Sequence, residues 1–261
     1  MSIRVADRAA SEVFYNTVLG PLGIETTYSD ARFAEWDDFS LTASDPEHPV
    51  TRGLHIGFGA RSRELVEAFW RAGTQAGHRD DGAPGPRPEY RDDYYGGFLL
   101  DPDGNCAEAV HHAEIRPPGH IDHLWIRVAD VSAASAFYDL VAPYGGFERK
   151  GNEPDHAHFV GAGGSFSLAA GTPTENLHAA FPATENATVD AFHRAAMEAG
   201  YRDNGAPGER PRYHPGYYGA YVLDPDGNNI ELVNHNRGWL VPRPPRVRGS
   251  WNQPSSGSPP G

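Results

Sequence analysis

An internal repeat constrains this chain more than any other feature: the second half restates the first at one fixed offset of 123 positions. The matching segments are residues 3–7 with 126–130, 82–85 with 205–208, and 101–104 with 224–227. Such a repeat predicts two similar domains, over residues 1–115 and 120–236. Segments that both copies share are expected to form the fold, and features of one copy are candidates for chemistry.

Composition excludes several classes of protein. The net charge of −13 and the absence of a basic stripe predict no nucleic-acid partner. No apolar run is long enough to span a membrane, and the repeat starts too early to leave room for a signal peptide. The single cysteine, Cys106, cannot form an internal disulfide. We therefore expect a soluble, cytoplasmic protein, with a disordered Pro-, Gly- and Ser-rich tail over 237–261.

Each copy has the same predicted order of elements. A strand, a helix and a group of strands are followed by a second strand, helix and group of strands. Asp7 and Asp130 are placed to cap the first helix of each copy, and helices are predicted over 62–76 and 185–199. Asp-Pro-Asp-Gly predicts a tight hairpin turn before the last strand of each copy. The chain is thus expected to be an α+β protein of four strand-helix-strands modules.

Two histidines and one glutamate of the second copy suggest a metal site. His123 and His178 each open a predicted strand, and Glu231 follows the hairpin. Two imidazoles and one carboxylate on one face would leave coordination positions open for a substrate. In the first copy His55 and Glu108 repeat this pattern, whereas the match of His123 would fall at position 0. Three more histidines are expected at strand ends, near the glutamates but not bound to metal: His111, His112 and His235.

The stretch over 221–231, read with His178 and the tandem modules, resembles the vicinal oxygen chelate superfamily. That superfamily includes glyoxalase I, bleomycin-binding proteins, fosfomycin-resistance transferases and extradiol ring-cleaving dioxygenases. The resemblance covers nearly the whole chain except the tail. It implies tandem glyoxalase-like domains, in which four βαβββ modules form cupped half-barrel sheets. It is less specific for the reaction, because one fold supports several chemistries.

Within the superfamily, the second copy is most similar to the catalytic half of extradiol dioxygenases. Their pattern has a histidine, a tyrosine and Asp-Pro-x-Gly before the glutamate, and His214, Tyr221 and Glu231 stand in those places. The resemblance implies that His123, His178 and Glu231 bind Fe(II). It also implies that His214 acts as acid–base and that Tyr221 donates a hydrogen bond to substrate or oxygen. The first copy has Arg91 and Phe98 at the positions of His214 and Tyr221.

Redox-neutral enzymes of the superfamily are the alternative. Glyoxalase-type isomerases add a fourth, carboxylate ligand, and the corresponding strand over 165–169 has no acid. A lyase or epimerase with a smaller ligand set stays open, as does a fosfomycin-type transferase. These transferases use two histidines and one glutamate with Mn(II), drawn from two paired subunits. The triad does not distinguish Fe(II) from Mn(II), Zn(II) or Ni(II).

The transferase arrangement raises the question of which triad is complete. If the two copies exchange their first strands, His123 joins His55 and Glu108 rather than His178 and Glu231. We favour the arrangement without exchange, because His214 and Tyr221 accompany Glu231. A native start a few residues upstream that placed a histidine at position 0 would predict two equivalent sites.

A non-catalytic protein that sequesters a drug or natural product, as in bleomycin resistance, is the remaining alternative. Five tryptophans and the pairs Tyr94–Tyr95 and Tyr217–Tyr218 would supply aromatic walls for stacking. In every version the expected partner is a small molecule. The fused copies form a pseudo-dimer, so both a monomer and a homodimer are compatible with the sequence.

Overall fold

The computed structural model describes residues 1–115, 119–153 and 155–236. Over these residues each half of the chain contains eight strands, two α-helices and one short 3-10 helix, Gly20–Leu22 or Ala142–Gly145. None of the helices in these three ranges is long and apolar enough to cross a membrane. The predicted tail over 237–261 lies outside the described residues.

The first half consists of two βαβββ modules. Their elements are β1 (Ser2–Val5), α1 (Arg8–Leu19), β2 (Tyr28–Ser29), β3 (Phe33–Trp36), β4 (Phe39–Ala43), β5 (His55–Gly59), α2 (Arg63–Gln75), β6 (Arg79–Pro86), β7 (Tyr95–Leu100) and β8 (Cys106–His111).

The second half repeats this order. Its elements are β9 (Ile121–Val128), α3 (Val131–Val141), β10 (Glu148–Glu153), β11 (His156–Gly161), β12 (Gly164–Ala170), β13 (His178–Pro182), α4 (Asn186–Glu198), β14 (Arg202–Glu209), β15 (Tyr218–Leu223) and β16 (Asn229–Asn234). The predicted α+β class with four βαβββ modules is confirmed.

The residues predicted to cap the helices lie at the helix ends, as expected. The Asp7 carboxylate accepts a hydrogen bond from the backbone N–H of Ala10, and Asp130 caps α3 in the same way. Gly77 and Gly200 adopt φ values of 84° and 83° just after α2 and α4, a conformation that favours glycine. The predicted helix bounds are therefore correct to within one residue.

The two sheets each combine strands from both halves. The first sheet has the order β10-β11-β12-β9-β5-β8-β7-β6, and the second has β14-β15-β16-β13-β1-β4-β3-β2. Strand β9 pairs antiparallel with β5, and β1 pairs antiparallel with β13. The first module of each half thus forms a sheet with the second module of the other half, so each first strand crosses over together with the rest of its module. This is contrary to the arrangement that we favoured from the sequence. The boundaries 1–115 and 120–236 stay a prediction, and neither segment corresponds to one sheet.

The offset of 123 does not hold throughout, which corrects the repeat as read from the sequence. In the second sheet Ser2 pairs with Ser40, whereas Trp125, its repeat partner, pairs with Ser167 in the first sheet. Ser40 and Ser167 are 127 positions apart. The difference arises because β10 and β11 have six residues each, while β2 and β3 have two and four.

Alternation along the central strands separates a core face from an open face. In β5, Ile56 and Phe58 are fully buried in the core that includes Val66 and Phe69 of α2. Successive side chains of a strand point to opposite faces, so His55 and Gly57 face away from the helices. The same alternation places Glu108 of β8 and His123 of β9 on that open face.

Candidate metal centre

Three side chains from three adjacent strands meet on the open face of the first sheet. One ligand atom each of His55, Glu108 and His123 lies within 4.8 Å of the others. The register explains this convergence: Gly57 is the Cα partner of both His123, across the antiparallel pair, and Glu108, across the parallel pair. Strand exchange therefore brings a histidine of the second half to the histidine and glutamate of the first.

A glycine makes room for the third member of the cluster. A Cβ atom on Gly57 would overlap the imidazole ring of His123. The imidazole thus occupies the space above the backbone of residue 57, where any other residue would place its side chain. Ala180 has the corresponding position in the second sheet, where its Cα partner is Glu231.

Glu108 is fully buried and contacts the hydroxyl or imidazole groups of three residues. Its Oε2 lies 2.7 Å from Nε2 of His55 and 3.1 Å from Nε2 of His123, and its Oε1 accepts a 2.7 Å hydrogen bond from the Tyr94 hydroxyl. Burial by itself would raise the pKa of Glu108, but the two imidazoles outweigh burial and lower that pKa to about 2. The carboxylate is therefore held in its charged, ligand-competent form.

His123 has a buried nitrogen atom that the protein leaves without a hydrogen bond. Its Nε2 lies 3.1 Å from Oε2 of Glu108, within the distance of an ion pair, but makes no hydrogen bond with a described residue. Burial opposes the charged ring, yet contacts with Asp122 and Glu108 raise the pKa of His123 to about 9. A buried polar atom without a partner is costly. His55, Glu108 and His123 would hold a divalent metal, and its binding would satisfy this nitrogen, so the three residues fit such a metal.

A second carboxylate, that of Asp122, contacts the imidazole of His123 on the side away from Glu108. Oδ2 of Asp122 lies 3.0 Å from Nδ1 of His123 and 3.1 Å from Nε2 of His112. The ring of His112 stacks on that of Tyr94, with centroids 6.0 Å apart and an interplanar angle of 21°. His112 was expected near the glutamate without being a ligand, and it contacts Asp122 rather than Glu108.

The second sheet holds a related but smaller cluster. His178 Nε2 lies 2.9 Å from Oε2 of Glu231, and the Tyr217 hydroxyl donates a 2.6 Å hydrogen bond to Oε1 of the same carboxylate. Burial opposes ionisation, but the contacts with His178 and Tyr217 lower the pKa of Glu231. His123 lies in the other sheet, so the structure does not bring His123, His178 and Glu231 together. The grouping we favoured from the sequence is corrected to the exchanged one.

His214 and Tyr221 accompany the smaller cluster. Nε2 of His214 lies 2.8 Å from Nδ1 of His235, and the ring of Tyr217 is next to it, with centroids 5.2 Å apart. Tyr221 is the Cα partner of Glu231, and its buried hydroxyl has no hydrogen-bond partner among the described residues. The dioxygenase-like pair and the three-ligand cluster thus lie in different sheets.

Their first-half counterparts are Arg91 and Phe98, of which Phe98 lies beside the three-ligand cluster. Arg91 forms ion pairs with Asp93 and Glu114, at 2.9 Å and 3.0 Å. Phe98 is the Cα partner of Glu108, and its ring centroid lies 6.0 Å from that of His55. Neither side chain reproduces the acid–base and hydrogen-bonding groups predicted for a dioxygenase.

Sequence reasoning missed three residues of these clusters. Tyr94 and Tyr217 were taken as aromatic walls, but each donates to the glutamate fourteen residues further on. The repeated spacing from tyrosine to glutamate is the signal that identifies them. Asp122 was missed because a carboxylate adjacent to a histidine carries little information until the fold shows its burial.

Exchanged βαβββ modules around a two-histidine, one-carboxylate cluster define the class of this protein as a two-domain, glyoxalase-like protein with a candidate metal site. Residues 120–232 match the family model described as "Glyoxalase/Bleomycin resistance protein/Dioxygenase superfamily". The matched part of the chain belongs to this superfamily. The arrangement of two such domains is supported by a solved structure that covers 90% of the chain.

Solved structures over the whole chain support the same fold. Glyoxalase I from Zea mays is 18% identical with a TM-score of 0.62, covering 90% of this chain and 90% of that one. A "putative dioxygenase" from Bacillus subtilis is 15% identical with a TM-score of 0.61, covering 91% of this chain and 84% of that one. No curated protein matches the sequence. At these identities the likeness establishes the fold and not the reaction.

Proposed function

We propose that the protein is a divalent-metal-dependent enzyme whose centre is formed by His55, Glu108 and His123. The observation that carries this proposal is the buried Nε2 of His123, which makes no hydrogen bond with a described residue yet lies 3.1 Å from the Glu108 carboxylate, beside a second imidazole. A divalent metal bound there would act as a Lewis acid toward adjacent oxygens of a small substrate. Fe(II), Mn(II), Zn(II) and Ni(II) all accept this ligand set.

The surroundings of the centre favour a redox-neutral reaction, in the class of lyases, isomerases or transferases. Tyr94 fixes one oxygen of Glu108, so the other oxygen is left to face the two imidazoles. The strand exchange also agrees with the transferase-like arrangement, in which ligands come from two paired units. His214 and Tyr221, which implied oxygen chemistry, lie in the other sheet.

An extradiol-type dioxygenase is the second candidate. Its support is the sequence pattern of His214, Tyr221 and Glu231, together with the buried, unpaired Tyr221 hydroxyl. This candidate places the reaction at the smaller cluster, where His178 and Glu231 are the available ligands. A non-catalytic binding protein is the outcome if the purified chain retains no metal.

The discriminating experiment uses the chain purified without oxygen and reloaded separately with each of the four metals. Oxygen uptake with a series of catechols tests the dioxygenase, and turnover of 2-oxoaldehyde–thiol adducts and epoxides without oxygen consumption tests the redox-neutral classes. Activity with oxygen consumption that His214→Gln abolishes would contradict the redox-neutral proposal. A small-molecule substrate, a cytoplasmic location and a monomeric or homodimeric state stay predictions.

A further inference from the structure

Asp122 is a buried carboxylate with one oxygen shared between two imidazoles. Its exposed fraction is 4%, and Oδ2 contacts both Nδ1 of His123 and Nε2 of His112. The other oxygen, Oδ1, is buried without a hydrogen-bond partner among the described residues. Burying a charge is costly unless the charge is paired and hydrogen-bonded, and here only the two imidazoles pair with it among the described residues. Packing alone therefore does not explain why this carboxylate is buried against His123.

The chemistry of the contacts determines which nitrogen carries the proton. A carboxylate only accepts hydrogen bonds, so each imidazole must donate to Asp122. For His112 this conclusion is supported from the other side of the ring, because its Nδ1 accepts from the backbone N–H of Glu114 at 3.2 Å. For His123 the same requirement puts a proton on Nδ1. When a metal displaces the proton of Nε2, the ring presents the lone pair of that nitrogen toward Glu108 and His55, as a metal ligand requires.

A series of contacts connects Asp122 to Glu108, the carboxylate of the proposed centre. His112 stacks on Tyr94, and Tyr94 donates to Glu108. His123 and Glu108 are thus supported by one connected set of buried groups: Asp122, His112 and Tyr94. The smaller cluster lacks this set, because His235, the repeat partner of His112, contacts His214 instead.

We propose that Asp122 and His112 are positioning residues, which fix the tautomer and orientation of His123 at the metal centre. This inference rests on the proposed function, since it assigns a role toward the metal. Asp122 acts on the ring directly, and His112 acts by holding the shared oxygen of Asp122 in place. Such supporting partners change metal affinity by about 10- to 100-fold when they are removed.

The test is titration of the full-length, metal-free protein with Co(II), followed by its visible absorption. In Asp122→Asn the amide either turns its NH2 toward the rings, which demands an acceptor at Nδ1 of His123, or buries that NH2 without an acceptor. We expect Co(II) to bind about 10- to 100-fold more weakly, with an altered absorption band. The control is Asp45→Asn, which changes a carboxylate that pairs with the exposed His48 at 2.9 Å; it should bind as the unchanged protein does.

A second variant covers the case in which Asp122→Asn does not fold. His112→Phe retains a ring against Tyr94 and removes the contact with Asp122, together with the hydrogen bond from the backbone N–H of Glu114. It should fold with a similar thermal midpoint and still weaken Co(II) binding. Unchanged affinity and absorption in either folded variant would overturn this inference while leaving the metal centre intact. Failure of the unchanged protein to bind Co(II) would instead overturn the proposed function, and this inference with it.

Discussion

Gly57 and His123 are Cα partners on neighbouring antiparallel strands, and the imidazole of His123 fills the space that a side chain at residue 57 would need. This pairing crosses the two halves of the chain, since Gly57 lies in the first and His123 in the second. It shows that the first sheet accommodates a third ligand-type side chain. In the second sheet Ala180 stands at the corresponding place.

The pairing predicts different effects on metal binding for two reciprocal variants. Gly57→Ala should displace the His123 ring, lower the free energy of unfolding by about 1–3 kcal/mol through overpacking, and weaken metal binding. Ala180→Gly should cost about 0.5–1 kcal/mol, as glycine does within a strand, and leave metal binding unchanged. Denaturant unfolding and metal titration on both variants check this. Equal metal affinity in the two variants would contradict the role given to Gly57.

The two tyrosine–glutamate hydrogen bonds provide a second matched pair. Tyr94→Phe and Tyr217→Phe each remove a hydroxyl that donates to a buried carboxylate, at 2.7 Å and 2.6 Å. Each should lower the free energy of unfolding of the metal-free protein by about 1.5–3 kcal/mol. Tyr94→Phe should also weaken metal binding, and Tyr217→Phe should not. The account would be wrong if Tyr217→Phe had the larger effect on metal affinity.

The stability of the metal-free protein should depend on pH through Glu108 and His123. Glu108 has a folded-state pKa lowered to about 2, so its contribution is present above the ordinary pKa of 4.5 and lost as pH falls toward 2. His123 has a pKa raised to about 9, so its contribution is complete below pH 6.5 and lost as pH rises through 9.

Between pH 6.5 and 9.5 the unchanged protein should therefore lose on the order of 1–3 kcal/mol of unfolding free energy. His123→Gln should remove most of this dependence. Apparent metal affinity should rise over the same window, because the metal displaces a proton from His123. Chemical unfolding at several pH values, with a chelator present, measures the first effect. A flat profile in the unchanged protein would rule out the pairing of Glu108 with a protonated His123.

His214 and Tyr221 should be dispensable if the three-ligand centre is where the reaction occurs. His214→Gln and Tyr221→Phe are expected to retain turnover within about twofold, because neither contacts His55, Glu108 or His123 in the described structure. Steady-state kinetics on the metal-loaded variants are the check. A loss of 100-fold or more in kcat would return the reaction to the smaller cluster.

The fold was predictable from the sequence because its signals are local and repeated. The N-capping Asp7 and Asp130, the terminating Gly77 and Gly200, and the alternation around His55 each specify an element by short-range geometry. All of them recur at the same offset, which gave the four modules. The offset failed only where β10 and β11 are longer than β2 and β3, since loop and strand lengths leave little trace in composition.

The grouping of the site residues was not predictable in the same way. His123 lies near the start of β9, a strand whose sequence allows pairing either with its own half or with the other, and both choices satisfy the same pattern of alternation. The decision depends on long-range pairing between β9 and β5, where Gly57 accommodates the imidazole. The difference between Gly57 and Ala180 is the one local feature that indicates this pairing. It can be interpreted only when the register of β5 and β9 is known.

Metal content in two matched variants tests the central claim most directly. Glu108→Gln and Glu231→Gln each replace one buried carboxylate with an isosteric amide, and each carboxylate contacts a histidine of its own sheet, His55 or His178. After anaerobic purification, elemental analysis should find close to one divalent metal per chain in the unchanged protein and in Glu231→Gln, and almost none in Glu108→Gln. Retention of the metal in Glu108→Gln with its loss in Glu231→Gln would contradict the account.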